Sequence, residues 1–416
     1  MLKISLPIFP MLLNNKKFKL AILTSHPIEY QGPLFKYIAS NYADKIDLTV
    51  YFCWDFGVRE TYEPAFGINI KWDFPILEGY RSKFLKNFSL TPTSSNFFGE
   101  INPGIIIEIF KNKYDAILIH GWYSLTNWLA FITAFVLKTP ILLRGESSLY
   151  HDKYTRRPFW LKIFKKLVLR FLFGMVSAFL AIGTRNREFY LTYGASSSKI
   201  FSCPYAIDND FFAKESEKYK QAKKEIRNEL GIPADTRVIL FVAKLIKVKG
   251  PIELLKAYEA MKNKSKTYLV FVGNGDLKLE LEEYVLEHQI SNIKFFNFVS
   301  PSELPKFYAI SDIFVRADIN LTSGDWGLTI NEAMACGLII ITPNIGASVD
   351  LVKDRFNGFV YEYTNVDRLK KIFNNLSSLD DTTLSLMKQR SIAIISQWGY
   401  KEDVEGILSA LRSIKQ

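Results

Sequence analysis

Three lysines cluster in a short stretch that has the pattern of a loop between a strand and a helix. They are Lys244, Lys247 and Lys249, and they follow an apolar run that ends at Val242. Ammonium groups this close repel one another unless an anion lies among them. A diphosphate would supply that anion, whereas a solvated loop would leave the charges in water. The spacing alone is compatible with both interpretations.

A second stretch joins a glycine turn to a helix that carries one carboxylate. Trp326 and Gly327 form the predicted turn, and the helix follows over Leu328–Ala335. Its first N–H groups would point at the turn, where they could bind an anion such as a phosphate. Glu332 is predicted about one and a half turns into the helix, too far for capping, so a pair of sugar hydroxyls would suit its oxygens. An ordinary amphipathic helix with a solvated glutamate is the alternative.

Other short patterns carry less information. Gly273-Asn-Gly275 follows an apolar run, but the rest of a dinucleotide fingerprint is missing. Asp208-Asn-Asp210 has the letters of a manganese-binding DxD, and we interpret it as a chance match in a linking loop. The four histidines and three cysteines lie without metal-ligand spacing, so the sequence predicts no metal site and a reducing compartment.

These residues lie among short β-rich runs that alternate with helical patterns. The predicted strands are Lys19–Ser25, Ile46–Phe52, Ala116–His120, Pro140–Arg144, Phe179–Ile182, Val238–Val242, Tyr268–Val272, Ile293–Phe298, Ile313–Arg316 and Leu338–Ile341. Apolar strands separated by helices predict parallel sheets that are covered on both faces. With 416 residues, the two series predict an α/β protein of two doubly wound domains whose ligands bind in the cleft between them.

The predicted boundaries follow from this rhythm and from composition. Residues 1–212 form the first Rossmann-like domain, and residues 237–394 form the second. Residues 213–236 are interpreted as a linker region, because the stretch is rich in Lys, Glu and Gln and has no strand pattern. A terminal helix within about residues 395–416 is expected to pack back on the first domain.

The net charge of +11 is concentrated in the first half of the chain. Residues 1–212 contain 25 basic and 16 acidic side chains, which indicates an anionic partner for that half. The densest basic cluster, Lys153–Arg170, includes Trp160 and Phe164. This mixture suits a helix in a membrane interface, and a solvated amphipathic helix is an equally open interpretation. No nucleic-acid-binding pattern is present, so nucleic acid is not predicted as a partner.

The motifs together resemble a known family. From Lys244 to Gly358 the chain closely resembles the retaining GT-B glycosyltransferases of glycosyltransferase family 4, and Asn331–Gly337 agrees with the family pattern at every position. Segments of the first half resemble one branch of the family: Ser25–Phe35, Ile119–Gly121, Leu143–Glu146, Gly183–Asn186 and Pro204–Asp208. The resemblance covers roughly residues 18 to 412. It implies the GT-B fold, in which two Rossmann-like domains face a central cleft.

The resemblance implies a nucleotide diphospho-sugar as donor, bound mainly by the second domain, without a further cofactor or a metal. Lys249 matches the diphosphate-binding lysine, and Lys244 stands where the family usually has an arginine with a bidentate fork. Glu332 matches the glutamate that binds ribose hydroxyls. The start of its helix, at Gly327, Leu328 and Thr329, matches the site of the distal phosphate. Phe298 and Val299 match a segment that borders the base.

The implied catalytic residues are His120, Lys249 and Asp325. His120 matches a histidine near the transferred sugar. The family glutamate eight positions before Glu332 is replaced by Gly324, and the adjacent Asp325 is the candidate substitute. The sequence indicates no carboxylate nucleophile for a covalent route. The family is described by same-face attack, in which the enzyme positions the reactants and stabilises charge on the leaving diphosphate.

Residues after two strands of the first domain are expected on the acceptor side of the cleft. Arg144 and Glu146 follow one predicted strand, and they would either hold the acceptor or pair with each other. His26, Tyr30 and Gln31 follow the first strand, where loops often carry function.

The sequence therefore predicts a retaining glycosyltransferase that acts on a glycan or lipid-linked acceptor in bacterial surface polysaccharide or lipopolysaccharide assembly. A cytoplasmic location is expected, at the inner face of the membrane under the interfacial interpretation. Two alternatives stay open. Gly324 and Lys244 point to a nucleotide-sugar-binding subunit that has lost transfer, and a GT-B epimerase would need further acid–base residues in the cleft.

Overall fold

The computed structural model describes residues 17–58, 60–63, 67–70, 75–150, 158–262, 264–319, 326–363, 365–376 and 379–415. Several positions discussed above lie outside these ranges: Lys153, Arg156, Arg157, Gly324 and Asp325. The expectations for them, including a catalytic role for Asp325, remain predictions.

The first half is built on a parallel sheet. Its strands are β1 (Phe18–Thr24), β2 (Ile46–Phe52), β5 (Ser82–Phe84), β6 (Ala116–His120), β7 (Ile141–Arg144), β8 (Ala178–Ala181) and β9 (Ile200–Ser202). A separate antiparallel hairpin is formed by β3 (Thr61–Glu63) and β4 (Ile68–Ile70). The sheet order is β5-β2-β1-β6-β7-β8-β9. The strands read as apolar runs because both faces of the sheet are buried.

Helices cover both faces of this sheet. They are α1 (Gln31–Asn41), α2 (Gly104–Asn112), α3 (Leu125–Val136), α4 (Phe159–Met175) and α5 (Thr184–Thr192), and α5 lies between β8 and β9. α2 to α5 pack their apolar sides on one face, around Phe131 and Leu169. α1 packs on the other face through Leu34 and Phe35.

The second half repeats this architecture. Its strands are β10 (Arg237–Val242), β11 (Thr267–Val272), β12 (Ile293–Phe296), β13 (Ile313–Val315), β14 (Ile339–Pro343) and β15 (Gly358–Tyr361), in the order β12-β11-β10-β13-β14-β15. Its helices are α6 (Asn209–Gln221), α7 (Lys223–Glu229), α8 (Pro251–Glu259), α9 (Lys278–Glu287), α10 (Leu304–Ile310), α11 (Thr329–Ala335), α12 (Ser348–Leu351), α13 (Val366–Leu376) and α14 (Asp381–Ile395).

The last helix returns to the first sheet. α15 (Tyr400–Ser413) buries Val404, Ile407 and Leu411 in the same apolar cluster as α1 and β1. The chain therefore crosses between the halves twice, once before α6 and once before α15.

The segment 213–236 is structured. It contains most of α6 and all of α7, and Arg227 is buried, where it donates to the Ile310 and Thr236 carbonyls and pairs with Asp312 at 2.9 Å. The segment thus packs on the second half. Its composition did not reveal this, because the stretch has few apolar residues and Arg227 reads as a surface residue.

Candidate active site

The candidate site residues lie where strands of both sheets end. The first-half candidates follow β1 or lie at the ends of β6 and β7 and just beyond, and the donor-side candidates follow β10, β12 and β13. Parallel strands present their carboxyl ends at one edge of each sheet. Lining residues from both halves enclose a cavity of about 1010 Å³, which includes Glu29 and Tyr30 from the first half and Glu332 from the second.

Lys249 is bound by an acidic partner that the sequence did not indicate. Its ammonium donates to Asp318 at 2.8 Å, and the other carboxylate oxygen of Asp318 accepts from Arg316 at 2.6 Å. Burial disfavours the charged carboxyl, but Arg316 and Lys249 outweigh it and lower the pKa of Asp318. The lysine cluster therefore contains an internal anion, so its charges do not by themselves require a bound diphosphate.

Arg316 also positions the glycine turn before α11. Its guanidinium donates to the Trp326 carbonyl at 2.6 Å. Gly327 follows with φ of +83°, and a Cβ at this position would lie 2.3 Å from the guanidinium. Glycine is required here by both the left-handed backbone and this close approach.

Asn331 connects the turn to the first half. Its buried side chain accepts from the Trp326 indole at 3.0 Å and donates to the Tyr205 carbonyl at 2.9 Å. The Trp326 and Tyr205 rings also meet edge to face. The loop that begins α11 is therefore tied to the crossing segment between the halves.

Glu332 lies in the first turn of α11, not about one and a half turns in as its sequence position suggested. The structure starts this helix at Thr329, one residue later than predicted. The Glu332 carboxylate accepts from the Tyr308 hydroxyl at 2.6 Å. Burial raises the pKa of Glu332 to about 7, the Tyr308 bond lowers it, and the charge of Glu29 raises it further. The carboxylate thus already has one partner and faces a second carboxyl.

Glu29 is a site residue that sequence reasoning missed. Burial raises its pKa to about 7, and the positive charge of Lys244 opposes this rise. Glu29 therefore lies within electrostatic range of both Lys244 and Glu332 across the cleft. Its position inside the motif Ser25–Phe35 was the available signal, but no pattern distinguished it from its neighbours.

The acceptor-side residues Tyr30 and Glu146 meet through Tyr205. The Tyr205 hydroxyl donates to Glu146 at 2.5 Å and lies 2.6 Å from the Tyr30 hydroxyl. Together with His120 they line a smaller cavity of about 220 Å³. Tyr205 lies within Pro204–Asp208, which the sequence analysis quoted without assigning it a role.

His120 ends β6 at this smaller cavity. Burial lowers its pKa to about 3, and the nearby Arg144 charge contributes. The imidazole is therefore neutral at physiological pH, so it can exchange hydrogen bonds with a hydroxyl but carries no charge to stabilise a phosphate.

Arg144 has a different partner from the one expected. It does not pair with Glu146, because its guanidinium is buried and bonds both oxygens of Asp403 on α15, at 2.9 and 2.7 Å. It also donates to the Pro204 carbonyl at 3.3 Å. These bonds hold α15 against the first sheet, although the residue still borders the smaller cavity.

The remaining acceptor-side candidates are packed within the first half. Gln31 is buried at the start of α1 and accepts from the Thr24 hydroxyl at 3.0 Å. The His26 ring lies edge to face with Trp54 and Phe56. The structure therefore groups Tyr30, Glu146 and His120 more closely than it groups His26 with them.

The base-side candidates Phe298 and Val299 follow β12, and both are partly buried. Val299 packs on the same apolar cluster as Leu328 and Tyr308. The segment thus shares its apolar cluster with Leu328, which immediately precedes α11.

The structure gives the DxD letters a local role. Asp208 caps α6 by accepting from the Phe211 N–H at 2.9 Å, so the motif begins a helix and does not lie in a linking loop. In the part of the chain that the structure describes, no three His, Cys, Asp or Glu side chains are grouped as metal ligands would be.

Two Rossmann-like halves that face each other across a cleft define the GT-B fold, and solved structures agree. The chain matches Anabaena HepE in complex with UDP at a TM-score of 0.71, with 17% identity over 96% of this chain and 100% of that one. It matches a glycosyltransferase from Rickettsia africae at 0.72, with 17% identity over 96% and 99%. The predicted fold is confirmed.

Sequence comparisons assign the second half to a family. Residues 222–415 match the model of the glycosyl transferases group 1. Spore coat protein SA of Bacillus subtilis is 32% identical over 46% of this chain and 52% of its own length. The putative teichuronic acid biosynthesis glycosyltransferase TuaC of the same species is 28% identical over 55% and 53%. The chain spans about half the length of the curated relatives it matches. The similarity to the glycosyl transferases group 1 family thus covers the second half of the chain and its last helix.

Proposed function

We propose that the protein transfers a sugar from a nucleotide diphospho-sugar to an acceptor hydroxyl, with retention of the anomeric configuration and without a metal. The proposed context is the assembly of a bacterial surface polysaccharide or lipopolysaccharide, and the acceptor is a glycan or a lipid-linked glycan.

One observation carries the proposal. Lys249, the Gly327 turn and Glu332 are held by partners within the second half, and Glu332 lines a cavity together with Tyr30 of the first half. Tyr30 also lines the smaller cavity that contains His120 and Glu146. Such an arrangement suits a diphosphate and a ribose on one side and a sugar hydroxyl on the other. Lys249, Glu332 and Glu146 are each oriented by a hydrogen-bonded neighbour, as positional catalysis requires.

Relatives support the donor class and the context. HepE has been solved with UDP and with UDP-glucose, which makes a uridine donor the first to test. TuaC is named for teichuronic acid biosynthesis, and WaaG, a structural neighbour, is named for lipopolysaccharide biosynthesis. These names describe those proteins, and we extend them to this chain as part of the proposal.

The proposed mechanism uses this chain's side chains for positioning and charge. Lys249 and the turn at Gly327 stabilise negative charge as the diphosphate leaves. The neutral imidazole of His120 holds a sugar hydroxyl. Glu146 and Tyr205 orient the acceptor, whose proton passes to the leaving diphosphate. Closure of the cleft excludes water, which limits donor hydrolysis.

The test is nucleotide release from a panel of nucleotide sugars with glycan acceptors, with the anomeric configuration of the product read by NMR. Lys249→Ala should lower the rate by about 100-fold, because a transition-state charge loses its partner. Lys247→Ala is the matched control in the same turn and should stay near the wild-type rate. A near-normal rate for Lys249→Ala would overturn the site, and an inverted product would overturn retention. Nucleotide binding without any turnover would favour the binding-subunit alternative.

A further inference from the structure

The helices α2, α3 and α4 expose large apolar side chains on the surface that faces away from the first sheet. α4 exposes Phe159, Trp160, Ile163, Phe164, Leu167 and Phe171. Neighbouring exposed positions on α2 and α3 are Phe110, Ile132, Phe135 and Val136. α3 packs against both α2 and α4, so these side chains share one surface of the first half. We call this surface the outer apolar face.

α4 is apolar on two opposite sides. Leu169, Leu172 and Phe173 are buried in the core of the first half. Trp160 and Phe171 lie on the opposite side and are 66% and 65% exposed. A helix that faces water normally carries polar residues there, and a helix that is apolar all round is normally buried. The outer side of α4 is therefore built to be covered.

The charges on α3 and α4 are of one sign. α3 and α4 contain no acidic residue, whereas α4 contains three exposed cations, Lys162, Lys166 and Arg170. The fourth cation of α4, Lys165, is held over the rings of Phe189 and Tyr193. Exposed aromatic residues beside unopposed cations match a bilayer surface with anionic headgroups, where the rings enter the interface and the cations meet the lipid charge.

We propose that the outer apolar face docks the protein on an anionic lipid bilayer. A second copy of the chain is a poorer occupant, because a symmetric contact would bring the same cations of two α4 helices together. The helix would lie in the interface and not cross it, since α4 has 17 residues and four of them are basic. Among the described helices, none is long and apolar enough to span a bilayer.

The docking has a consequence for the acceptor. The carboxyl end of β7 leads to Glu146 and then toward the start of α4. A bilayer against α4 would therefore lie on the acceptor side of the cleft, where a membrane-bound acceptor could reach it. This consequence rests on the proposed function, but docking itself does not.

Vesicle sedimentation tests the proposal directly. The full chain should sediment with vesicles of phosphatidylcholine and phosphatidylglycerol, and poorly with phosphatidylcholine alone. The triple variant Trp160→Ser, Phe164→Ser, Phe171→Ser should bind about tenfold more weakly, although its net charge is unchanged. The matched control, Leu279→Ser with Leu286→Ser, removes two equally exposed apolar side chains from α9 and should bind as the wild type does.

Two further measurements make the result decisive. Lys162→Gln with Lys166→Gln should weaken binding to the anionic vesicles only, since two exposed cations of α4 are lost.

Light scattering reports the oligomeric state, and a dimer that the triple variant converts to a monomer would assign the face to a second copy and overturn the proposal. A wild-type chain that stays in solution with anionic vesicles would also overturn it, without reference to any variant. Nucleotide binding measured without vesicles separates these outcomes from failure of the proposed function.

Discussion

The cleft contains two carboxyl groups whose protonation depends on each other. Glu29 and Glu332 come from opposite halves, and burial raises the pKa of each from 4.5 to about 7. In the proposed complex, ribose hydroxyls would donate to the Glu332 carboxylate and Lys244 would stay near Glu29. Ligand binding would thus favour the ionised carboxylates that the empty cleft disfavours.

These shifts predict how stability changes with pH. The unfolded carboxyls release their protons near pH 4.5 and the folded ones near pH 7, so the native state holds more protons in between. The free energy of unfolding should therefore fall as pH rises through this window. Glu332→Gln should remove part of this fall, on the order of 1 kcal/mol, as measured by urea unfolding at several pH values. An unchanged pH slope in the variant would contradict the assigned pKa.

At the residue scale, the sequence indicated the groups that face a ligand but not the groups that hold them. Lys249 and Glu332 stand in recognisable motifs. Their partners Asp318 and Tyr308 lie 69 and 24 residues away in the chain, and only the folded sheet brings each pair together. Glu29 was missed for the same reason, because its charged neighbours Lys244 and Glu332 belong to the opposite half.

At the element scale, the turn before α11 depends on Gly327, which lies between the Arg316 guanidinium and the start of the helix. Gly327→Ala would place a non-glycine residue at φ of +83° and a Cβ 2.3 Å from Arg316. The strain alone costs about 1–2 kcal/mol, and the clash adds to it. We expect lower stability by urea unfolding together with loss of nucleotide binding.

Gly67→Ala is the matched control for this substitution. Gly67 has φ of +66°, but a Cβ there would meet no atom within 4 Å. It should show the backbone cost alone and leave nucleotide binding intact. Equal effects of the two substitutions on binding would mean that the Gly327 turn has no special role at the site.

A buried ion pair holds the last helix in place. Arg144 and Asp403 are almost fully buried, at 3% and 0% side-chain exposure. Asp403→Ala would leave the guanidinium unpaired inside the protein, which typically costs about 3–5 kcal/mol. Asp367→Ala breaks the exposed pair with Lys370 and should cost less than about 1 kcal/mol. Similar unfolding midpoints for the two variants would show that α15 is held by its apolar contacts alone.

Elements were predictable where they bury long apolar runs. β2 and β6 were predicted to the residue, because both are interior strands of the first sheet and β6 is its central strand. β5, β9 and β15 were not predicted. Each lies at an edge of its sheet and has three or four residues, so it has no long apolar run to detect.

At the scale of the whole molecule, one helix of the first half is capped by the second half. The Thr184 N–H at the start of α5 donates to Asp350 on α12, at 3.0 and 3.2 Å to its two oxygens, and the Thr184 hydroxyl donates at 2.5 Å. Opening the cleft would remove this cap. The contact therefore couples a helix terminus to the relative position of the halves.

Asp350→Ala should cost about 1 kcal/mol and shift the molecule toward more open conformations. Small-angle X-ray scattering should then report a larger radius of gyration. Asp380→Ala removes a comparable cap, on the Thr383 N–H, but within the second half alone. It should cost similar stability without changing the radius. A larger radius in both variants, or in neither, would contradict a role for Asp350 between the halves.

The two-domain fold was predictable from the alternation of strands and helices and from the motif Asn331–Gly337. The contacts between the halves were not. Asn331 bonds to Tyr205, and Gly183 packs against Trp326, through residues far apart in sequence that carry no pairing signal of their own.

The most direct test of the central claim is nucleotide binding by the second half of the chain, where it lines the cleft. Thermal unfolding should be followed with UDP, GDP, ADP and CMP at pH 8, where Glu332 is ionised. A nucleotide at about 100 times its dissociation constant adds about 2.7 kcal/mol, which raises the midpoint by several degrees. We predict that one nucleotide stabilises the wild type and that Glu332→Gln loses most of this shift. If no nucleotide stabilises the protein, or if Glu332→Gln responds as the wild type does, the account of the donor site is contradicted.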